Sequence, residues 1–138
     1  MKFYKRLNVY KASNVQFNPT TLIGTSYEWY QLARSFDGVM VLNTYNYSSS
    51  TCKHISKMRA LLTTLGYREI VEIEAPQGLQ NLGAAVLQYN ARILSLYEDI
   101  NKPRSHKAKN TERLALIAEH EATLKIIEVL RGAVRKVA

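Results

Sequence analysis

The sequence predicts an α+β fold: an antiparallel β-sheet with one short helix, followed by a long antiparallel helical hairpin. Three observations predict it. Most of the Phe and Tyr residues, the only Trp and most turn signals lie before Pro76. Beyond Pro76 the chain is rich in Leu, Ala, Ile, Glu and Lys. Beyond it apolar residues recur steadily at spacings of three and four, the mark of a helical face. At 138 residues the chain is expected to form a single domain, 1–138, with a β-rich half (1–76) and a helical hairpin (77–138).

In chain order, Phe3 to Ala12 reads as a first strand, with Leu7 and Val9 alternating with Arg6, Asn8 and Tyr10. Asn14 to Gly24 reads as a loop that turns at Asn18-Pro19. Tyr27 to Phe36 is an aromatic-rich strand, and Val39 to Tyr47 is its return strand. Between them Asp37-Gly38 suits a type I′ turn, which needs φ > 0 at both central residues. Ser48-Ser49-Ser50-Thr51 supplies hydroxyls that can cap a helix running to Leu65, with Ile55, Met58, Leu62 and Leu65 on one face and Gly66 as the left-handed stop. Glu69 to Ala75 alternates Ile and Val with Glu and reads as another strand, ended by Pro76.

The helical half carries the clearest periodicity. Leu79, Leu82, Val86, Tyr89, Ile93, Leu96 and Ile100 recur at alternating spacings of three and four, and Leu87, Leu94 and Tyr97 widen the stripe. Asn101-Lys102-Pro103 ends that helix, because proline disfavours α geometry in the residue before it. A second helix is expected to have started by Asn110-Thr111. Its seam is Leu114, Ile117, Leu124, Ile127, Leu130, Val134 and Val137, interrupted by Glu121. The short link makes the two helices antiparallel neighbours. Their apolar surface exceeds one mutual seam, so a homo-oligomer through the helical half is expected.

Nineteen Lys and Arg against eleven Asp and Glu give a formal net charge of +8 and a pI near 9.7. That balance fits an acidic partner, a nucleotide or a nucleic acid, and also fits plain solubility. One cysteine, Cys52, excludes an intramolecular disulfide and a thiolate-rich zinc site, and fits a reducing, cytoplasmic compartment. Met1 to Tyr10 has no apolar leader core, and no apolar run is long enough to span a membrane.

The junction after the return strand is the main candidate site: Asn43, Tyr45, Asn46, Tyr47, Ser48, Ser49, Ser50, Thr51, Lys53, His54 and Lys57. A helix N-terminus offers unpaired amides and the positive end of the dipole to an anion. Lys53 and Lys57, with His54 beside them, would add charge. Tyr45 and Tyr47 could stack on a base, and Asn43 and Asn46 could read its edges. The same residues also fit a plain serine cap with solvated lysines. A second basic patch, Arg104, Lys107, Lys109 and Arg113 with Lys102 and His106, could clamp phosphates or be a solvated turn. The aromatic residues of the β half, among them Tyr27, Trp29 and Tyr30, fit either base stacking or core packing.

No arrangement for nucleophilic or metal catalysis is legible. Cys52 and His54 do not face each other on a helix, and His54, His106 and His120 are scattered. No cofactor, no metal site and no enzymatic activity are expected. Phe17-Asn18-Pro19, Ser26-Tyr27-Glu28-Trp29-Tyr30 and Leu42-Asn43-Thr44-Tyr45-Asn46-Tyr47-Ser48, set in this layout, resemble the phage-encoded Thoeris anti-defence sponges, which sequester cyclic nucleotide immune signals. The resemblance implies a homo-oligomer with pockets walled by aromatic and Arg or Lys side chains, no catalysis, and residence in the host cytoplasm. The reading is therefore non-enzymatic sequestration of a small nucleotide-like anion. DNA or RNA binding by the basic face of the hairpin, and a protein–protein adaptor acting through the long helices, stand as alternatives.

Overall fold

In the computed structural model, residues 1–3, 7, 8, 13, 28, 47, 105 and 138 lie outside the described residues, and for 4–6 and 133–137 the backbone alone is described. The chain divides into two compact units, Met1–Leu82 and Gly83–Ala138. Where the sequence reads one domain that changes character at Pro76, the contacts part six residues later, after Leu82.

The first unit is built on a seven-stranded sheet whose strands stand side by side in chain order. β1 (Tyr4–Arg6) and β2 (Val9–Ala12) pair antiparallel, with Tyr4 opposite Lys11 and Arg6 opposite Val9. The single strand expected over Phe3 to Ala12 is thus two. A period of two survives a reversal of the chain, so alternation alone does not show where the chain turns. β3 (Val15–Asn18) and β4 (Ile23–Ser26) replace most of the expected loop. Val15 and Phe17 are buried, while Gln16 and Asn18 are only partly so. The predicted turn at Asn18-Pro19 joins these two strands. The Asn18 side chain accepts from the amides of Thr20 (2.8 Å) and Thr21 (3.2 Å).

β5 (Tyr30–Phe36) and β6 (Val39–Asn43) form the expected hairpin, with Asp37 at φ 51° and Gly38 at φ 85°, both in the range a type I′ turn requires. The chain enters α1 (Ser49–Thr64) through Ser48, whose hydroxyl accepts from the Thr51 amide at 3.1 Å. It leaves through Gly66 at φ 98°. There the Gly66 amide bonds Thr63 O and the Tyr67 amide bonds Leu62 O, the two bonds of a Schellman stop.

β7 (Ile70–Ile73) lies parallel to β6, Met40 facing Ile70 and Asn43 facing Ile73. The sheet is therefore antiparallel except at this pair. A connection through a helix returns the chain to the end it started from, which is the requirement for parallel pairing. Ile55, Met58, Leu61 and Leu62 of α1 pack on Val15, Phe17, Tyr30, Leu32, Met40 and Leu42. Met58 Cε fills the space over Gly24, where a Cβ would stand 2.6 Å from it.

The second unit is a helical hairpin of α2 (Leu82–Ile100) and α3 (Lys107–Val137). Its contacts run in opposite chain directions. Arg113 is close enough to act on Asp99, the rings of Tyr89 and His120 lie 5.4 Å apart, and a groove of about 390 Å³ separates Val86 and Asn90 from Leu124, Glu128 and Arg131. α3 starts at Lys107, as a helix expected by Asn110 requires. Its seam differs from the expected one. Ile117, Ile127 and Leu130 are buried but Leu114 is 53% exposed, and half-buried His120, not Glu121, continues the seam against Tyr89. Leu79 does not join α2. It is buried in the first unit and its amide bonds Gln31 O. No helix of the described residues is long and apolar enough to cross a membrane.

Candidate ligand-binding site

The residues singled out at the β6–α1 junction separate into three groups. Asn43 and His54 belong to the interior. Asn43 is fully buried. Its Nδ2 donates to Tyr30 Oη (3.1 Å), Gln31 O (3.4 Å) and Ala75 O (2.9 Å). Its Oδ1 accepts from the amides of Tyr45 (3.0 Å) and Ala75 (2.9 Å). Every lone pair and hydrogen of this amide is thus engaged by the protein. The expectation that Asn43 reads a base edge is corrected: it ties β5, β6 and the chain after β7 together.

His54 is corrected in the same way. It is buried beneath the ring of Tyr27 (centroids 5.2 Å apart), with Nδ1 2.5 Å from Ser26 Oγ. Burial first, and the charge of Lys57 second, hold its pKa below the ordinary histidine value. A neutral buried imidazole does not attract an anion. It does make stability depend on pH. The unfolded chain takes up the proton at about pH 6.5, before the folded chain does. Stability should be flat above that pH and fall as pH drops below it, until the folded histidine also protonates. Denaturant titrations between pH 7.5 and 5 should show this slope for the wild type and a shallower one for His54→Gln. Equal slopes would refute the assignment.

The second group remains available to solvent. Ser48, Ser49, Ser50, Lys53 and Asn46 are exposed and Lys57 is half-buried. Thr51 is corrected out of this group, since it is buried with its hydroxyl 2.9 Å from Ser48 Oγ and serves the cap. The first-turn amides of Ser49 and Ser50 lie ahead of any intrahelical acceptor, and no acidic residue of that turn offsets the dipole. Tyr47 lies outside the described residues.

Tyr45 leads to a feature the junction reading did not contain. Half-buried, it lines a cavity of about 790 Å³ together with Trp29, Tyr30, Pro76, Gln77, Gln80 and Asn81. Small-molecule sites commonly span about 300–1,000 Å³. Tyr30 forms part of the wall and is fixed by its bonds to Asn43 and to Ala75 O (3.0 Å). Trp29 stands edge-on to Tyr30, centroids 5.5 Å apart at 70°, and keeps 64% of its surface exposed. Sequence reasoning had Trp29 as a stacking candidate but missed Gln77, Gln80 and Asn81, for which the Pro76-Gln77-Gly78 turn was the one local signal.

The basic link is less concentrated than its composition suggests. Lys102 pairs with Asp99 at 3.0 Å, and Arg113 donates to Asn110 at 2.8 Å. Arg104, Lys107 and Lys109 are exposed. Among the described residues no three His, Cys, Asp or Glu side chains gather into a group that could hold a metal ion. In comparisons with protein families, curated proteins and solved structures, no significant match to this chain was found.

Proposed function

We propose that this chain binds and sequesters a small nucleotide-like anion without turning it over. The observation that carries the reading is the adjacency of two complementary half-sites. The aromatic and amide cavity reaches Tyr45, and the uncompensated start of α1 begins three residues later at Ser48. Three residues span at most about 10 Å, a reach that a base and its phosphate can bridge. The cavity offers stacking and hydrogen bonding for a ring. Ser49 and Ser50 amides, the serine hydroxyls and exposed Lys53 offer an anion site. The resemblance drawn from the sequence would make the ligand a cyclic nucleotide signal.

Mass spectrometry of whatever is released on heating the purified protein tests this reading directly, with calorimetry on a panel of mononucleotides and cyclic nucleotides. A nucleotide should be recovered chemically intact. An empty protein that also gives no heat with any nucleotide would end the proposal. Lys53→Ala should weaken a phosphate-bearing ligand by about 1 kcal/mol, the scale of one exposed charge-assisted contact. It should leave thermal stability unchanged. Changing Arg104, Lys107 and Lys109 together to Ala should not affect that ligand. If only the triple variant loses binding, the nucleic-acid reading takes its place.

A second reading, association through the long helices, has an observation of its own. Leu87 (72% exposed), Leu94 (61%) and Tyr97 (42%) line one face of α2, and Ile126 (40%) and Val129 (72%) stand exposed on α3. Apolar surface of this extent on a helical hairpin fits a second copy of the chain.

A further inference from the structure

We infer that the Trp29 cavity is a ring-recognition site in its own right, taking an uncharged planar heterocycle that carries a hydrogen-bond acceptor on one edge; this rests on the nucleotide-like reading above and assigns the two halves of the ligand to different residues. Among the described residues that line the cavity none is charged: Trp29, Tyr30, Tyr45 and Pro76 are aromatic or apolar, and Gln77, Gln80 and Asn81 are amides. In a chain of net charge +8, a described lining of aromatic rings and amides suits the neutral part of a ligand. Aromatic faces stack on any base, and amides discriminate by donor and acceptor.

Several lining groups are held by bonds within the protein. Both ends of the Gln80 amide are held by the β5 side of the sheet: Oε1 accepts from the Gln31 amide (3.1 Å) and Nε2 donates to Trp29 O (2.9 Å). Gln80 therefore holds the backbone that carries the exposed indole. It can do so because residue 78 is glycine. Gly78 has φ 84°, and a Cβ there would collide with the Gln80 side chain. The turn from Ala75 to Gly78, closed by the Gly78 amide on Ala75 O (3.0 Å), presents Pro76 and Gln77. Asn81 Nδ2 donates to Gln77 Oε1 (2.9 Å), which takes the oxygen of the Gln77 amide and leaves its Nε2 hydrogens for a carbonyl or ring nitrogen of the ligand. Preorganised aromatic and amide groups lose little freedom on binding, which favours recognition of a small ring.

Trp29 is the only tryptophan, so its emission reports on this cavity alone. Adenosine, guanosine, uridine and their monophosphates are titrated against the full chain, with inorganic phosphate and methyl glucoside as controls. At least one nucleoside should quench the emission saturably, and phosphate and the glucoside should not. By calorimetry, Trp29→Ala and Gln77→Ala should each weaken that nucleoside about tenfold, the scale of one lost stacking or edge contact. Lys53→Ala should weaken only the monophosphate. Trp29 and Gln77 are exposed, and unchanged melting confirms that both variants fold. If monophosphates bind but no nucleoside does, or Trp29→Ala binds as the wild type does, the ring assignment is overturned and the nucleotide reading stands. Quenching by the glucoside equal to that by nucleosides overturns the heterocycle class. If neither nucleosides nor any nucleotide binds, the underlying reading fails with it.

Discussion

Replacing Asn43 by leucine should destabilise the protein by about 3–5 kcal/mol, although leucine is close to asparagine in size. The cost comes from what is left behind. The amides of Ala75 and Tyr45 lose their acceptor, and Tyr30 Oη, Gln31 O and Ala75 O each lose a donor. Gln31 O keeps the Leu79 amide and Ala75 O keeps the Tyr30 hydroxyl, so the amides carry most of the penalty. A buried polar group left without a partner costs about 1–3 kcal/mol. Urea titration of the two proteins measures the difference. A loss under about 1 kcal/mol would mean that the network is not intact in solution. Because the same bonds fix Tyr30 in the cavity wall, any Asn43→Leu protein that still folds should bind nucleosides more weakly. On the proposed reading Asn43 would act on binding only through Tyr30, whose hydroxyl it holds.

The second large effect is expected in the helical unit. If a second copy covers the outer face of α2, changing Leu94 to Glu places a carboxylate in that interface. Desolvating it without a partner costs several kcal/mol by order of magnitude. Assembly should then weaken by more than about 100-fold. Light scattering should give at least a dimer for the wild type at micromolar concentration and a monomer for the variant. Since Leu94 is 61% exposed within the chain, its replacement should not unfold the protomer. A wild type that is strictly monomeric at that concentration removes the self-association proposal.

What the sequence shows here depends on how local each signal is. The Asp37-Gly38 turn, the Ser48 cap and the Gly66 stop are written in adjacent residues, and all three stand where they were read. β3 is not legible locally because Val15-Gln16-Phe17-Asn18 is short and ends in turn residues. The parallel pairing of β7 depends on where the chain returns, which no local pattern encodes. Asn43 and His54 are suggestive in the sequence by chemical type alone, which says nothing of their burial. Met40, Val41, Leu42 and Asn43 are all buried, so period two could not tell which way Asn43 faces. The Gln80 clamp joins residues 49 and 51 positions apart, and only the folded chain brings them together.

The chain-order arrangement of the strands bears on how the molecule forms. In each of the five antiparallel pairs, consecutive strands are joined by a short loop. Closing a short loop loses little entropy, and the cost grows slowly with its length. Each new strand can therefore be added to an edge that already exists, as the chain emerges, without waiting for distant partners. The exception is β7, which must wait for the whole of α1 before it can reach β6. Asn43 and Ala75, whose bonds close the cavity wall, meet only after that step. A chain that ends before the crossover can hold six of the seven strands in chain order but lacks Pro76, Gln77, Gln80 and Asn81 of the cavity.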